Sequence, residues 1–126
     1  MQHLPQISEA ELEVMKALWQ LGKATSAQVL DAVLPGSDWK PKTVQTMLNR
    51  LVGKGAVEAD KQNGKAYLYC PAIAEADYRR AASQNFLQKL YHGSVGLMLS
   101  SFVQEGQLSE AELEELRRIL RKEGEQ

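Results

Sequence analysis

The chain of 126 residues contains a single cysteine, and no apolar stretch approaches the length of a membrane span. One cysteine, Cys70, excludes an internal disulfide framework and cannot by itself build a thiolate metal cluster. Crossing a bilayer takes roughly 20 apolar residues, and the N-terminal MQHLPQIS lacks the cationic and apolar regions of a secretory signal. We therefore expect a cytoplasmic protein that holds no cofactor and no metal.

Histidine is equally scarce, and its placement argues against catalysis. His3 lies near the N-terminus, and His92 lies beside Gly93 at a predicted helix end. No cysteine partner, carboxylate pair or phosphate-binding loop occurs at catalytic spacing, and the serines are explained by helix caps. The sequence predicts that the protein is not an enzyme.

The composition, with 44% hydrophobic and 25% charged residues, is that of one or two small globular domains. The net charge of −1 is unevenly distributed. Residues 38–65 contain six basic and three acidic side chains, a surplus of three positive charges, whereas residues 72–126 carry seven basic against nine acidic ones. This asymmetry indicates a local DNA-facing patch and a separate acidic half that binds a partner.

Two capping boxes predict the first two helices. Ser8 with Glu11, and Thr25 with Gln28, have the spacing at which each side chain bonds the backbone N–H of the other. In a helix-turn-helix domain the second helix crosses the DNA backbone, so Thr25 and Ser26 could offer hydroxyl and N–H groups to a phosphate. The alternative is that both residues are simply good caps.

Residues 39–70 predict a basic helix that runs into a two-stranded hairpin, which is the order of elements in a winged helix. Pro41 suits a first helical position, and Gly53 with Gly55 ends the helix. Its apolar residues recur at helical spacing: Val44, Met47, Leu48 and Leu51. The opposite face and its flanks carry no carboxylate and consist of Lys42, Thr43, Gln45, Thr46, Asn49 and Arg50.

This polar face suits the major groove of DNA. Asn and Gln pair bidentately with adenine and Arg with guanine, Thr offers its methyl group to thymine, and Lys is attracted to phosphate. The alternative is an ordinary solvated helix face, but such faces usually mix both signs of charge. The pattern therefore predicts a recognition helix.

The predicted wing consists of strands at residues 56–61 and 65–69, joined across Asn63 and Gly64, a pair that favours a tight hairpin turn. Lys61 and Lys65 flank the tip and could approach the phosphate backbone. The alternative is a hairpin tip that its lysines merely keep soluble.

Three further helices are predicted at residues 74–90, at 95–103 and from Ser109 onward. The middle one is apolar nearly all round and must be buried, yet a segment of about 50 residues buries little of its own surface. We therefore expect a twofold homodimer with two recognition helices on a palindromic operator, its half-sites about 10 base pairs or a multiple apart. The predicted dimerisation residues are Tyr78, Phe86, Leu90, Val95, Leu97, Met98, Leu99, Phe102, Leu113, Leu116 and Leu120.

The predicted fold is mainly α with a small β-wing. A winged helix-turn-helix DNA-binding domain at residues 1–71 is followed by a three-helix dimerisation domain at residues 72–126. The near-identical ISEAELE and LSEAELE are a repeated helix start and not a duplicated domain, since the sequences diverge immediately afterward.

The segments SEAELEVMKALW, PKTVQTMLNRLVGKG, YLYCP and SFVQEGQLSEAELEELRRIL resemble the penicillinase repressor family, the BlaI/MecI/CopY-type regulators. The similarity covers almost the whole chain, and the TV-x-T-x-LNRL core of the recognition helix is its most specific part. The resemblance implies a homodimeric transcriptional repressor that binds a dyad-symmetric operator, with a helical C-terminal domain that holds the dimer together.

In the β-lactam branch of the family, the resemblance implies control of antibiotic-resistance genes and relief by proteolysis. A membrane sensor-protease system leads to cutting before a phenylalanine in the dimerisation domain, and Phe102 lies at the matching place. The preceding residue is Ser101 where that branch has asparagine, so cleavage at this bond is a hypothesis. The copper branch senses metal through paired C-terminal cysteines, which this chain lacks.

Two alternatives stay open at this stage. A winged helix can bind a partner protein, although its outward face would then be expected to carry hydrophobic or acidic residues. A DNA-binding repressor can also respond to a signal other than a β-lactam and without cleavage. The operator, the regulated genes, the inducing signal and the organism do not follow from the sequence.

Overall fold

A computed structural model describes residues 4–61 and 66–124, and over these residues the predicted class, mainly α with a small β-wing, is confirmed. The elements in chain order are α1 (Glu9–Leu21), α2 (Ser26–Val33), a 3₁₀ turn (Leu34–Gly36), α3 (Pro41–Gly53), β1 (Val57–Lys61), β2 (Tyr67–Pro71), α4 (Glu75–Tyr91), α5 (Val95–Gln104) and α6 (Glu110–Gly124). The chain forms two compact units, Met1–Ala81 and Ala82–Gln126. The predicted domain boundary after residue 71 stays a prediction.

Local sequence signals start the first two helices as predicted, and a glycine ends α1. The Glu11 N–H donates to Ser8 Oγ at 3.1 Å, and the Ser8 N–H donates to Glu11 Oε1 at 2.9 Å. The same reciprocal pair joins Thr25 and Gln28 at the start of α2. Gly22, at φ 85°, ends α1 in a left-handed conformation that residues with a Cβ rarely adopt.

The core of the first unit lies between α1, α2, α3 and the hairpin. Helix α3 buries Val44, Leu48 and Leu51, as the helical spacing predicted, and the partly buried Met47 packs against the same cluster. The other buried apolar side chains come from all parts of the unit: Val14, Met15, Ala17, Leu18, Ala24, Val29, Ala56, Val57 and Tyr69. This packing leaves the opposite face of α3 toward solvent.

The wing is an antiparallel pair in which Val57 lies opposite Pro71 and Lys61 lies opposite Tyr67. Strand β1 starts one residue later than predicted and ends at Lys61 as predicted, whereas β2 both starts and ends two residues later, with Pro71 as its last residue. Tyr69 also pairs with Ala24, ahead of α2, through N–H···O bonds of 2.8 and 3.0 Å. The hairpin is therefore fastened to the helix-turn-helix. The predicted turn at residues 63–64 lies outside the described residues.

The connection from the wing to α4 is fastened to α1. The Trp19 indole Nε1–H donates to the Ile73 carbonyl oxygen at 3.0 Å, and its ring lies 5.8 Å from that of Tyr78. Tyr78, predicted to lie in the dimer interface, thus has a contact within its own chain. Helix α4 covers Glu75–Tyr91, one residue later at each end than predicted.

In the second unit, Ser94 caps α5 by accepting from the Leu97 N–H at 3.0 Å, and Ser109 with Glu112 forms the predicted capping box of α6. The Tyr91 ring packs on Phe86 and meets the edge of Phe102 at 6.3 Å. No residue of α4, α5 or α6 whose placement is described is buried. These helices cover little of their apolar surface within a single chain.

Candidate nucleic-acid interface

Helix α3 presents the candidate interface. Pro41 occupies its first turn, and Lys40 before it is extended at φ −106° and ψ 161°, as the residue before a proline prefers. The first turn is free of acidic residues, and Arg50 lies in the last turn. The sequence PKTVQTMLNRLVG contains no carboxylate anywhere in the helix.

The predicted reading residues share the outward side of α3 but differ in exposure. Lys42, Asn49 and Arg50 are exposed, whereas Thr43, Gln45 and Thr46 are half-buried. This pattern of exposure agrees with a helix whose inner face packs on the core. The three exposed side chains are the ones best placed to reach a nucleic acid.

Hydrogen bonds within the domain occupy two of the half-buried side chains. The Thr46 hydroxyl donates to the carbonyl oxygen of Lys42 at 2.9 Å, which leaves its methyl group for an apolar contact. Gln45 Nε2 donates to Asn49 Oδ1 at 3.0 Å and to the hydroxyl of Tyr69 at 2.9 Å. An amide NH₂ has two donor hydrogens, so Gln45 has none left for a base.

Gln45 therefore differs from the expectation drawn from its residue type. Bidentate pairing with adenine needs one amide donor for N7 and one acceptor for N6. In this conformation Gln45 offers a base only its oxygen, whereas the Asn49 amide nitrogen makes no hydrogen bond to any described residue. Asn49 is the better candidate for adenine readout.

At the start of α2, the structure favours the capping role for Thr25. Its hydroxyl accepts from the Gln28 N–H at 3.2 Å and donates to Gln28 Oε1 at 3.4 Å, and its own backbone N–H donates to the same oxygen at 2.8 Å. Both groups that Thr25 could offer to a phosphate are thus engaged. The half-buried Ser26 makes no side-chain hydrogen bond within the described part of the chain, and its phosphate role stays a prediction.

On the wing, Lys61 is exposed and its ammonium lies 5.9 Å from the centre of the Tyr67 ring on the opposite strand. That distance is within the range of a cation–π contact. The contact supports the lysine stem and leaves its charge accessible. Lys65, predicted beside it at the tip, lies outside the residues that the structure describes.

The positive patch is smaller than the sequence count implied. Lys54 forms an ion pair with Glu11, whose side chain is only 3% exposed, and donates to the Gln6 carbonyl oxygen at 2.8 Å. Burial tends to raise the pKa of Glu11, but the bonds from Lys54 and Ser8 outweigh it, and the pKa lies below the ordinary value of 4.5. Lys54 is one of the six basic residues counted in the range 38–65, and Glu11, which is remote from it in sequence, neutralises its charge.

Tyr69 and the pair of Glu11 with Lys54 were missed as parts of this region. The segment YLYCP contains no alternation of charged and apolar residues that would identify a buried face, and no sequence signal placed the Tyr69 hydroxyl against Gln45. Glu11 was recognised only as a cap, since its lysine partner lies 43 positions away.

Other site types find little support over residues 4–61 and 66–124. These residues contain no group of three or more His, Cys, Asp or Glu side chains placed to hold a metal ion. No helix formed by them is both long and apolar enough to cross a membrane.

The chain is similar to known proteins over nearly its whole length. Residues 7–122 match the sequence model of the penicillinase repressor family. The chain is 42% identical over 120 residues to the penicillinase repressor of Bacillus licheniformis, covering 95% of this chain and 93% of that protein. It is 37% identical over 117 residues to the methicillin resistance regulatory protein MecI of Staphylococcus aureus strain N315, covering 93% of this chain and 94% of the other.

A solved structure extends the likeness to the fold. The solution structure of monomeric Bacillus licheniformis BlaI in complex with the blaP half-operator superposes with a TM-score of 0.53 and 46% identity. It covers 62% of this chain and 94% of that one. This match confirms the winged-helix fold predicted for the N-terminal part.

Proposed function

The chain belongs to the penicillinase repressor family, and from this we propose that it represses transcription as a homodimer bound to a palindromic DNA operator. The observation that carries the proposal is the outward side of α3, where Lys42, Asn49 and Arg50 are exposed on a helix without carboxylates. A half-operator complex of a relative with the same domain supports the choice of DNA as the partner.

Specificity and affinity come from different parts of this surface. Asn49 and Arg50 have the amide and guanidinium groups that distinguish adenine and guanine in the major groove. Lys42 and the wing residue Lys61 add charge toward phosphates, which strengthens binding to any sequence and makes it depend on salt. Because Lys54 is neutralised, each subunit offers few phosphate contacts. Two subunits acting together would supply the remaining affinity.

The exposed apolar surface of the second unit supports the dimer. The side chains of Leu90, Val95 and Leu97 are 57%, 50% and 48% exposed in the single chain. Fully burying one large aliphatic side chain stabilises by about 1.5–3 kcal/mol, so burying several of them offsets the free-energy cost of bringing two chains together. An apolar groove of about 350 Å³ between α4 and α5, lined in part by Phe86 and Met98, adds surface for a second copy to fill.

We further propose relief of repression by cutting between Ser101 and Phe102, in response to a membrane sensor-protease system that controls resistance genes. The Phe102 ring meets Tyr91, and its carbonyl oxygen accepts from the Gln107 N–H at 2.9 Å. Cleavage would separate these contacts from the first turns of α5. The dimer would weaken, and two half-site contacts would no longer act together.

The DNA proposal is tested by selecting binding sites for the full-length protein from a pool of random duplexes. The protein is then titrated against the selected duplex and a shuffled duplex of the same composition, each at two salt concentrations. The expected result is a dyad-symmetric consensus and tight, sequence-dependent binding by a dimer. Equal, weak binding to both duplexes that is lost at the higher salt would leave only phosphate contacts and refute the proposal.

The cleavage proposal is tested separately by co-expressing the repressor with a sensor-protease system and adding a β-lactam. Induction should produce two fragments, and the C-terminal fragment should begin at Phe102. A variant with Phe102→Ala should stay intact, and Phe86→Ala, an aromatic change on α4, serves as the matched control. Full induction with an uncut repressor would contradict the cleavage route and leave DNA binding unaffected.

A further inference from the structure

Tyr69 joins three parts of the winged helix at one residue. It is only 4% exposed, its backbone pairs with Ala24 next to the start of α2, and its hydroxyl accepts from Gln45 on α3 at 2.9 Å. A buried tyrosine usually finds a hydrogen-bond partner, but a core partner would have sufficed for that. Here the partner belongs to the helix that faces DNA.

The hydrogen bonds continue from Gln45 to the exposed reading side chain. Gln45 Nε2 uses its second hydrogen to donate to Asn49 Oδ1 at 3.0 Å. An amide group rotates through two similar positions, and a bond to the oxygen selects the one with Oδ1 toward Gln45. The chain of bonds thus fixes which end of the Asn49 amide faces its own helix.

A fixed amide has a direct consequence for base recognition. The Asn49 nitrogen keeps both of its donors, and the oxygen, which accepts one bond, retains a second acceptor position. That is the combination that adenine requires at N7 and N6. With the amide already oriented, less side-chain freedom is lost on binding DNA.

We propose that Tyr69 is a positioning residue for sequence recognition, acting through Gln45 on the Asn49 side chain. Gln45 is then a connecting residue and not a direct adenine reader. A strand of the wing thereby orients one side chain of the recognition helix without touching a base. This inference rests on the proposed binding of an operator.

The test compares Tyr69→Phe with Tyr67→Phe in the full-length protein. The first change removes only the hydroxyl that bonds Gln45 and keeps the ring in the core. The second removes a hydroxyl from the same strand, on a side chain that is 46% exposed. Both variants are titrated against the selected and shuffled duplexes, and far-UV circular dichroism during heating checks that they fold.

Tyr69→Phe should weaken binding to the selected duplex by about 2- to 10-fold, the effect of one net hydrogen bond, while binding to the shuffled duplex stays unchanged. Tyr67→Phe should leave both affinities as they are. In an Asn49→Ala background, Tyr69→Phe should have no further effect on discrimination, because its route to DNA is already removed.

Three results would overturn the inference. Equal losses of affinity on both duplexes would show that the hydroxyl supports the fold generally. No loss on either duplex would show that the hydroxyl does not orient Asn49. A full loss of discrimination that Tyr69→Phe still causes in the Asn49→Ala background would exclude the route through Asn49. If Tyr69→Phe does not fold, Gln45→Met breaks the same chain of bonds and must show the selective loss. A wild-type protein that does not discriminate between the duplexes would instead refute the proposed function itself.

Discussion

Replacing Glu11 with Gln should destabilise the first unit by removing the charge that pairs with Lys54. The cap itself should survive, because α2 makes the same capping box with a neutral Gln28. The lost interaction is a charge-assisted hydrogen bond between side chains that are 3% and 36% exposed. Such bonds contribute about 1.5–3 kcal/mol, and because Lys54 stays partly hydrated we expect a loss of about 1–2 kcal/mol.

Tryptophan fluorescence during urea unfolding measures this effect in the right unit. The chain has two tryptophans, Trp19 and Trp39, and both pack against the core of the first unit. In thermal unfolding followed by the same fluorescence, a loss of about 1 kcal/mol corresponds to a Tm lower by roughly 4–8 °C in a domain of this size. Glu112→Gln is the matched control, because Glu112 occupies the same place in the capping box of α6 but forms no ion pair within residues 4–61 and 66–124.

The pH dependence gives a second readout with a definite sign. The pKa of Glu11 is lower in the folded state than its ordinary value of 4.5, so unfolding takes up a proton between the two values. The stabilisation is therefore complete above about pH 4.5 and is lost as the pH falls through the lowered pKa. The stability gap between the wild type and Glu11→Gln should be widest near neutral pH and close in acid. A gap that is absent, or that stays constant into acid, would refute the reasoning.

Three further predictions concern the DNA surface and the dimer. Asn49→Ala or Arg50→Ala should cost about 1–3 kcal/mol of binding to the selected duplex with folding intact, and unchanged affinity in a titration would contradict the assignment. Lys42→Met should lower the slope of log Kd against log salt by about 1. Lys54→Met should leave the slope unchanged, because the charge of Lys54 is already neutralised. An equal decrease in both variants would show that the ion pair of Lys54 is broken on DNA. Leu99→Asp should place an unpaired charge in the proposed dimer interface, and a fully dimeric, stable variant in sedimentation experiments would show that the interface lies elsewhere.

The elements that the sequence predicted well depend on neighbours in the chain. Ser8 and Thr25 each have their capping partner three residues away, and Gly22 ends α1 by its own backbone conformation. The core face of α3 follows from the 3.6-residue period of its apolar residues, which also determines the side left toward solvent. Local spacing was therefore enough for the helices and for the polar side of the recognition helix.

What each polar residue on that side does depends on contacts between distant parts of the chain. Residue type made Gln45 an adenine reader and Lys54 a DNA-facing charge, and only the tertiary structure engages them with Tyr69 and Glu11. The physical reason is that residue type determines how many hydrogen bonds and charges a side chain offers. Whether those groups remain free for DNA is decided by the partners that folding brings within reach, and separation along the chain contains no information about that distance.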